Sequence, residues 1–381
     1  MKKWMTFSFM IIFSSVIISA QAEEDEWDSY LNYYADTLAY TIRQDDTTFL
    51  NSIFDEDLFL QKILLQKKDD NIQSYNKIYS RKLKQELNLG QIIVNAVDTG
   101  HYDFVNQYTS VDGDIHMIFR LLGKDGTFNY HDFQLEWADS LYKITDVYFY
   151  ANGEKLSETL KTIYRNLLRG ALDVKVGNSR MNNAQSEVNK FVMLQKLLNE
   201  KKYQEADSLF QTIPAKLRQE RIYKYWRIKI AENVSEQEYV AAISDYNISY
   251  PDDPSLFYLA FDKALVEEDW DAALKYLNKL DISVGLDPFL DYYRGIIYFS
   301  NDDLPKAFEK FEKIQKDYSF ELLYDYLLDI CITTKRKAKA VEVLNDYLTD
   351  FNYAKSDLII WVKENYPDFS QTAEFLTWEK E

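Results

Sequence analysis

The side chains in this sequence that could do chemistry are few. There are three histidines, His101, His116 and His131, and one cysteine, Cys331. His131 and Asp132 are adjacent, which invites an acid–base reading. They fall in a stretch of alternating apolar and polar residues, where sequence neighbours point to opposite faces of a strand and form no dyad. A register that sets His131 opposite Phe119 turns His131 to the core and His116 to the other side, which forbids a shared metal. A second turn one residue shorter would bring both to one face, and two histidines alone would still leave a zinc site incomplete. Cys331 lies among apolar neighbours and reads as a buried thiol; a single cysteine excludes an internal disulfide. No G-x-G pair, H-E-x-x-H, EF-hand loop or G-x-S-x-G elbow occurs. The usual phosphate cradles, zinc-protease sites and nucleophile turns are therefore absent. The expectation is a protein that is not an enzyme, with no catalytic residue, no metal and no cofactor.

Charge narrows the partners. The 381 residues carry 62 Asp and Glu against 44 Lys and Arg, a net charge of −18. Such a surface repels phosphate backbones and anionic lipids, and no basic stripe offsets it, so nucleic acid is not expected. At the N-terminus, Lys2 and Lys3 precede an apolar stretch from Trp4 to Ala20 and then Ala20-Gln21-Ala22. Small residues at that spacing suit a signal peptidase. Residues 1–22 are expected to be a cleavable signal peptide, cut after Ala22, and the protein to be periplasmic or secreted. The apolar stretch is short for a membrane span of ~20 residues. No cysteine near the cleavage point offers a lipid anchor, and no membrane span is expected in the mature chain.

Any binding residues must be positioned by the elements around them. Gly (10) and Pro (6) are scarce and the apolar fraction is 46%, so regular structure dominates. From about residue 186 onward the pattern is helical and it recurs. An aromatic residue or Leu precedes an Ala by three positions, and another bulky group follows four positions later. Tyr203, Ala206 and Phe210 fit; so do Tyr239, Ala242 and Tyr246, then Trp270, Ala273 and Leu277, then Leu304, Ala307 and Phe311. Lys337, Ala340 and Leu344 make a looser copy. The alanines are 36, 31, 34 and 33 residues apart, a period that fits a helix–turn–helix repeat. Four residues is one helical turn, so the Ala and the bulky group share a face. A small residue there lets two helices approach. Ahead of each Ala lies another apolar helix: 191–198, 223–230, 256–266, 292–299 and 322–332. Asp residues in the joints are placed to cap the following helix, and Pro305 suits a first turn.

This pattern resembles the tetratricopeptide repeat family. Gly295, Tyr298, Ala307 and Phe311 fall where that family has small, aromatic, small and aromatic residues, and Pro254 and Pro288 lie near unit starts. Asp291 stands where Trp is usual, and Phe261 where Gly is usual. The resemblance covers about half the chain and implies a solenoid of paired helices with a concave, partner-binding face, closed by a C-terminal capping segment. Matching the chain to the repeat puts Arg227, Tyr258, Asp262, Tyr292, Asp325 and Asp329 near that face. The groove lacks the clustered Lys and Asn with which family members hold a C-terminal carboxylate. Its aromatic and acidic character implies a protein or peptide partner with basic and apolar residues.

The first half reads differently. Trp27, Tyr30, Tyr34, Leu38 and Ile42 have helical spacing, and helical segments continue to about Val97. Between about Tyr102 and Tyr150 the chain alternates as four antiparallel strands. Turns are expected at Asp112-Gly113, Lys124–Gly126 and Ala138–Ser140. Ile115, Met117, Phe119 and Leu121 should face one side with Phe133, Leu135 and Trp137. Three helices on this sheet make an α+β layer. The order of elements resembles NTF2-like and cystatin-like folds, which can carry a ligand pocket. The expected organisation is a signal peptide over 1–22, an α+β domain over 23–172, a linker over 173–185, and repeats with a capping helix over 186–381. The leading functional expectation is an exported adaptor or assembly factor. The alternative is a ligand-binding or small enzymatic pocket in the first domain. A homo-oligomer is left open.

Overall fold

Alternation of apolar side chains over 115–137 builds a sheet in the computed structural model of the chain. The structure describes residues 30–381 other than 98–99, 124–127, 140, 176–180, 252 and 254. The expected signal peptide, Trp27, the turn at Lys124–Gly126, Ser140, Pro254 and residues 176–180 of the expected linker lie outside the described residues. The chain divides into two compact units: the second comprises Asn189–Glu381 together with the turn Tyr150–Gly153, and the first the other described residues up to Val188.

In the first unit, helices α1 (30–43), α2 (Thr48–Ile53), α3 (Glu56–Ile63), α4 (Asp70–Glu86) and α5 (Leu89–Val97) precede the strands. These are β1 (His101–Thr109), β2 (Ile115–Leu122), β3 (Phe128–Ala138), β4 (Leu141–Phe149) and β5 (Glu154–Lys155), followed by α6 (Leu156–Lys175). The sheet is antiparallel throughout, in the order β1-β2-β3-β4-β5. It has five strands rather than the four expected. The fifth is only two residues, pairing Glu154 with Phe149 and Lys155 with Tyr148, too short to show an alternation.

The register follows the hydrophobic pattern. Phe119 opposes His131 and Met117 opposes Phe133. Met117, Phe119, Leu121, Phe133 and Leu135 join one core with side chains of α1, α2, α3, α5 and α6, and Ile115 packs partly against it. Burying each such side chain contributes roughly 1.5–3 kcal/mol, so a slip that turned these side chains outward would be costly. Trp137 departs from the expectation: it is 55% exposed, set edge-on against Tyr142 at the strand end.

The second unit is all helical. It takes in most of α7 (Met181–Asn199), then α8 (Tyr203–Gln211), α9 (Arg221–Glu232), α10 (Glu236–Ser249), α11 (Leu256–Val266) and α12 (Trp270–Val284). These are followed by α13 (Leu290–Ser300), α14 (Leu304–Gln315), α15 (Glu321–Thr333), α16 (Lys337–Phe351), α17 (Lys355–Asn365) and α18 (Ala373–Lys380). Consecutive helices pack as pairs, α9 on α10, α11 on α12, α13 on α14 and α15 on α16. The five recurrent alanines, Ala206, Ala242, Ala273, Ala307 and Ala340, lie on α8, α10, α12, α14 and α16, and all are buried. At Gly295 of α13 the helices of one pair come close enough that the Phe311 ring of α14 occupies the space a Cβ would take. Asp269 and Asp303 cap α12 and α14 through the backbone N–H of Ala272 and Lys306, with Pro305 in the first turn of α14. At the end, Phe375 and Trp378 of α18 are buried, and Trp378 Nε1 donates to Asn345 of α16 at 2.7 Å.

Candidate functional site: an acidic and aromatic pocket on the helical array

On α15, Glu321, Asp325 and Asp329 follow one another at four-residue spacing, which aligns them in one stripe along the helix. The next elements wall this stripe. Tyr347 of α16 donates its hydroxyl hydrogen to Asp325 Oδ1 at 2.6 Å and lies 3.3 Å from the Glu321 carbonyl oxygen. Helix α16 ends at Asn352 in the left-handed conformation, with φ 54°, which Asn adopts more readily than most residues. The turn presents Tyr353, whose hydroxyl donates to Glu321 Oε1 at 2.8 Å. Asp357, Leu358 and Trp361 come from one side of α17. Together Glu321, Asp325, Tyr347, Tyr353, Asp357, Leu358 and Trp361 line a cavity of about 350 Å³, within the range of small-ligand sites, about 300–1,000 Å³. The ring centroids of Tyr347 lie 5.8 Å from Tyr353 and 6.4 Å from Trp361.

The electrostatics of this pocket are one-sided. Burial, helped by the charge of Glu321, raises the Asp325 carboxyl above its ordinary range, although the Tyr347 hydrogen bond pulls the other way. Beside the stripe, burial and the charges of Asp329 and Asp325 push the Tyr366 phenol up to about 12. Among the described residues no lysine or arginine pairs with Glu321, Asp325, Asp329 or Asp357. The two lysines of α17 are engaged elsewhere: Lys355 donates to the Trp378 carbonyl at 2.5 Å, and Lys363 pairs with Glu379 at 2.5 Å. Other sheltered carboxylates of the array do meet cations. Asp291 is paired with Arg294, Lys310 and Lys313, Asp281 with Arg294 and Asp253 with Arg221.

The six residues expected along the groove divide into four kinds. Asp325 lines the pocket, Asp329 continues its stripe, and Asp262 of α11 accepts a hydrogen bond from the Tyr239 hydroxyl. These three carboxylates are each met by a phenol. Tyr258 is half-buried on α11, and burial raises its phenol. Arg227 is a clip between helices: it bonds Asp207 of α8 at 2.6 Å and also Glu238 of α10. Tyr292 is a correction. It is 2% exposed and packs among Phe289, Phe311 and Phe320, so it is a core residue and lines no open surface. Sequence reasoning missed Tyr347, Tyr353, Asp357 and Trp361. The repeat pattern assigns groove positions to first helices, whereas these come from a second helix, a turn and the helix beyond the last copy. The four-residue spacing of Glu321, Asp325 and Asp329 was the available signal.

In the first unit His131 is buried in the core, where its Nδ1 lies 3.1 Å from the Tyr102 hydroxyl. Burial lowers its pKa to about 3, so the imidazole is neutral at physiological pH. His116 lies on the opposite face, as expected, and makes a contact the sequence reading did not foresee. Its Nδ1 is 2.7 Å from Asp132 Oδ1, while the Tyr108 hydroxyl donates to Asp132 Oδ2 at 2.7 Å. Asp132 thus pairs with the histidine two strand positions away and on the neighbouring strand, and not with His131 beside it. Among the described residues no group of three or more His, Cys, Asp and Glu is placed to hold a metal ion, and no helix is long and apolar enough to cross a membrane.

Comparison with protein-family models, with curated proteins and with solved structures finds no match for this chain.

Proposed function

We propose that the chain is an exported adaptor or assembly factor that binds a protein partner through its helical array. The helix pairs are read as tetratricopeptide-type repeats, and residues 1–22 as the signal for export. One observation carries the binding role. The acidic positions of the first helices, Asp262, Asp325 and Asp329, are each met by a tyrosine and by no described lysine or arginine. A sheltered carboxylate without a counter-charge costs free energy in the unbound protein. It repays that cost when a cation arrives with its own hydrogen-bond donors. Aromatic side chains beside the carboxylates supply apolar contact area, the usual make-up of a binding hot spot.

The test is affinity purification of the mature protein from envelope extract, followed by binding of the purified partner. Recovery should fall steeply in the Asp262→Asn, Asp325→Asn, Asp329→Asn triple variant and on raising salt, with the partner's contact segment rich in Lys or Arg. Equal recovery by the triple variant would remove the array from consideration.

A second reading places ligand chemistry in the first unit, and the His116–Asp132–Tyr108 cluster favours it, because a carboxylate that orients an imidazole is a common acid–base arrangement. On the core face of the sheet Met117, Phe119, Phe133 and Leu135 are packed into the hydrophobic core, which weighs toward the adaptor. A small-molecule screen by thermal shift, repeated on His116→Ala, separates the two readings.

A further inference from the structure

We infer that the cavity between α15, α16 and α17 is the seat for one basic side chain, lysine or arginine, of a protein partner. The inference rests on the reading of the array as a binding element and names what that element grips. Its chemistry comes from the lining. Glu321, Asp325 and Asp357 put three carboxylates on one cavity with no described cation to balance them. The Tyr347 and Tyr353 hydroxyls each occupy one oxygen, Asp325 Oδ1 and Glu321 Oε1, which fixes the rotamers and leaves further lone pairs to accept from a ligand. The carboxylates are not gathered in a way that could hold a metal ion, and the walls are aromatic, which suits an organic cation. Tyr347, Tyr353 and Trp361 present three rings, and a cation over such faces gains roughly 0.5–2 kcal/mol. Leu358 gives the alkyl stem of a basic side chain an apolar surface while its charged head reaches the acids. Tyr353, 42% exposed, and Asp357, also exposed, mark the side open to solvent. A free polyamine has related chemistry. The protein side chain is chosen because Asp329 extends the acidic stripe one turn beyond the cavity, as a chain running along α15 would use.

The test uses the full mature chain and a set of ten-residue peptides that differ only at a central position, Lys, Arg or norleucine, with spermidine as a separate probe. Calorimetry should give a Kd for the Lys or Arg peptide at least tenfold tighter than for norleucine. Asp325→Asn and Trp361→Leu should each weaken that binding at least fivefold while far-UV circular dichroism and Tm stay near wild type. Should Trp361→Leu fail to fold, Glu321→Gln replaces it. Equal affinity for the norleucine peptide overturns the inference, as does wild-type binding by the variants or saturable binding of spermidine alone. The two proposals fail separately. If a captured partner depends on Asp262 but is indifferent to Asp325 and Trp361, the pocket assignment falls and the adaptor reading stands. If the purified pocket selects basic peptides but no partner depends on the array, the adaptor reading falls.

Discussion

Tyr347 of α16 holds Asp325 of α15 by a 2.6 Å hydrogen bond from hydroxyl to carboxylate, and no described cation shares the carboxylate. Burial leaves the Asp325 carboxyl raised, so its ionised form at neutral pH is a cost to the fold. The sign is that of a group that binds protons more tightly when folded. The penalty is present above the folded pKa and fades as pH falls through it. Asp325→Asn keeps an acceptor for Tyr347 and removes the charge. It should be as stable as wild type or more stable at pH 7, by about 1 kcal/mol or less given its partial exposure, with the difference shrinking toward pH 4. Urea unfolding at the two pH values reads this. A large loss of stability at pH 7 would mean that Asp325 is structural. A residue that costs stability and is held in place by its neighbours is what a binding site retains.

Gly295 and Phe311 define how closely α13 and α14 pack. A Cβ at Gly295 would sit 2.5 Å from a Phe311 ring carbon, and that ring is fully buried and stacked at 4.9 Å on Tyr326, so it has little room to yield. Gly295→Ala should therefore destabilise by about 1–3 kcal/mol through overpacking, in spite of the roughly 1 kcal/mol that Ala gains over Gly in a helix. Combining it with Phe311→Leu should recover part of the loss, since the pair is in contact and not additive. A stabilised Gly295→Ala protein would show that the two helices are free to separate.

The helix pairs were legible because sterics repeat. An alanine recurs wherever two helices must touch, and every one of the five is buried. The sheet register was legible because one slip would expose Met117, Phe119 and Phe133 together. What failed, failed for local reasons. Alternation tells which face Trp137 is on but not how far along the strand the helices cover it. The repeat pattern placed Tyr292 by analogy at a groove position, while Phe289, Phe311 and Phe320 close around it. The pocket was only half legible. Asp325 and Asp329 came from the repeat, but Tyr353, Asp357 and Trp361 lie past the last copy, where no period remains to place them. The His116–Asp132 contact needed the register as well as the pattern, because it runs diagonally between strands.

His131 makes the first unit sensitive to acid. Its folded pKa is lowered to about 3 by burial, against about 6.5 in an unfolded chain. Between those values the unfolded chain binds a proton that the folded one does not, so stability rises with pH. From pH 7 down to pH 5 this group alone should remove about 2 kcal/mol. His131→Gln keeps a hydrogen-bonding partner for Tyr102 without titrating, and its stability should fall less over the same interval by that amount. Other groups, such as the raised Asp146 carboxyl, are common to both proteins and cancel in the comparison. Parallel pH profiles for the two would show that His131 is accessible to protons in the folded state.

Cys331 reports on the helix that carries the acidic stripe. Its side chain on α15 is fully buried, as are Leu327 and Leu328 one turn earlier on the same helix, and burial pushes its thiol up to about 11. Only the thiolate is alkylated, so this rise from an ordinary value of 9.0 alone lowers its reactivity at pH 8 by roughly a hundredfold. Enclosure lowers it further, because reagent reaches the sulfur only when α15 opens. Alkylation of the native protein should therefore be slower than that of the urea-unfolded chain by several orders of magnitude, and the ratio gives the free energy of local opening. A stiff α15 is what a preformed pocket needs, since a site that must be ordered on binding loses affinity to that ordering. If native Cys331 instead reacts within a few-fold of the unfolded rate, α15 opens readily. The arrangement of Glu321, Asp325 and Asp329 would then be assembled by the partner and not presented to it.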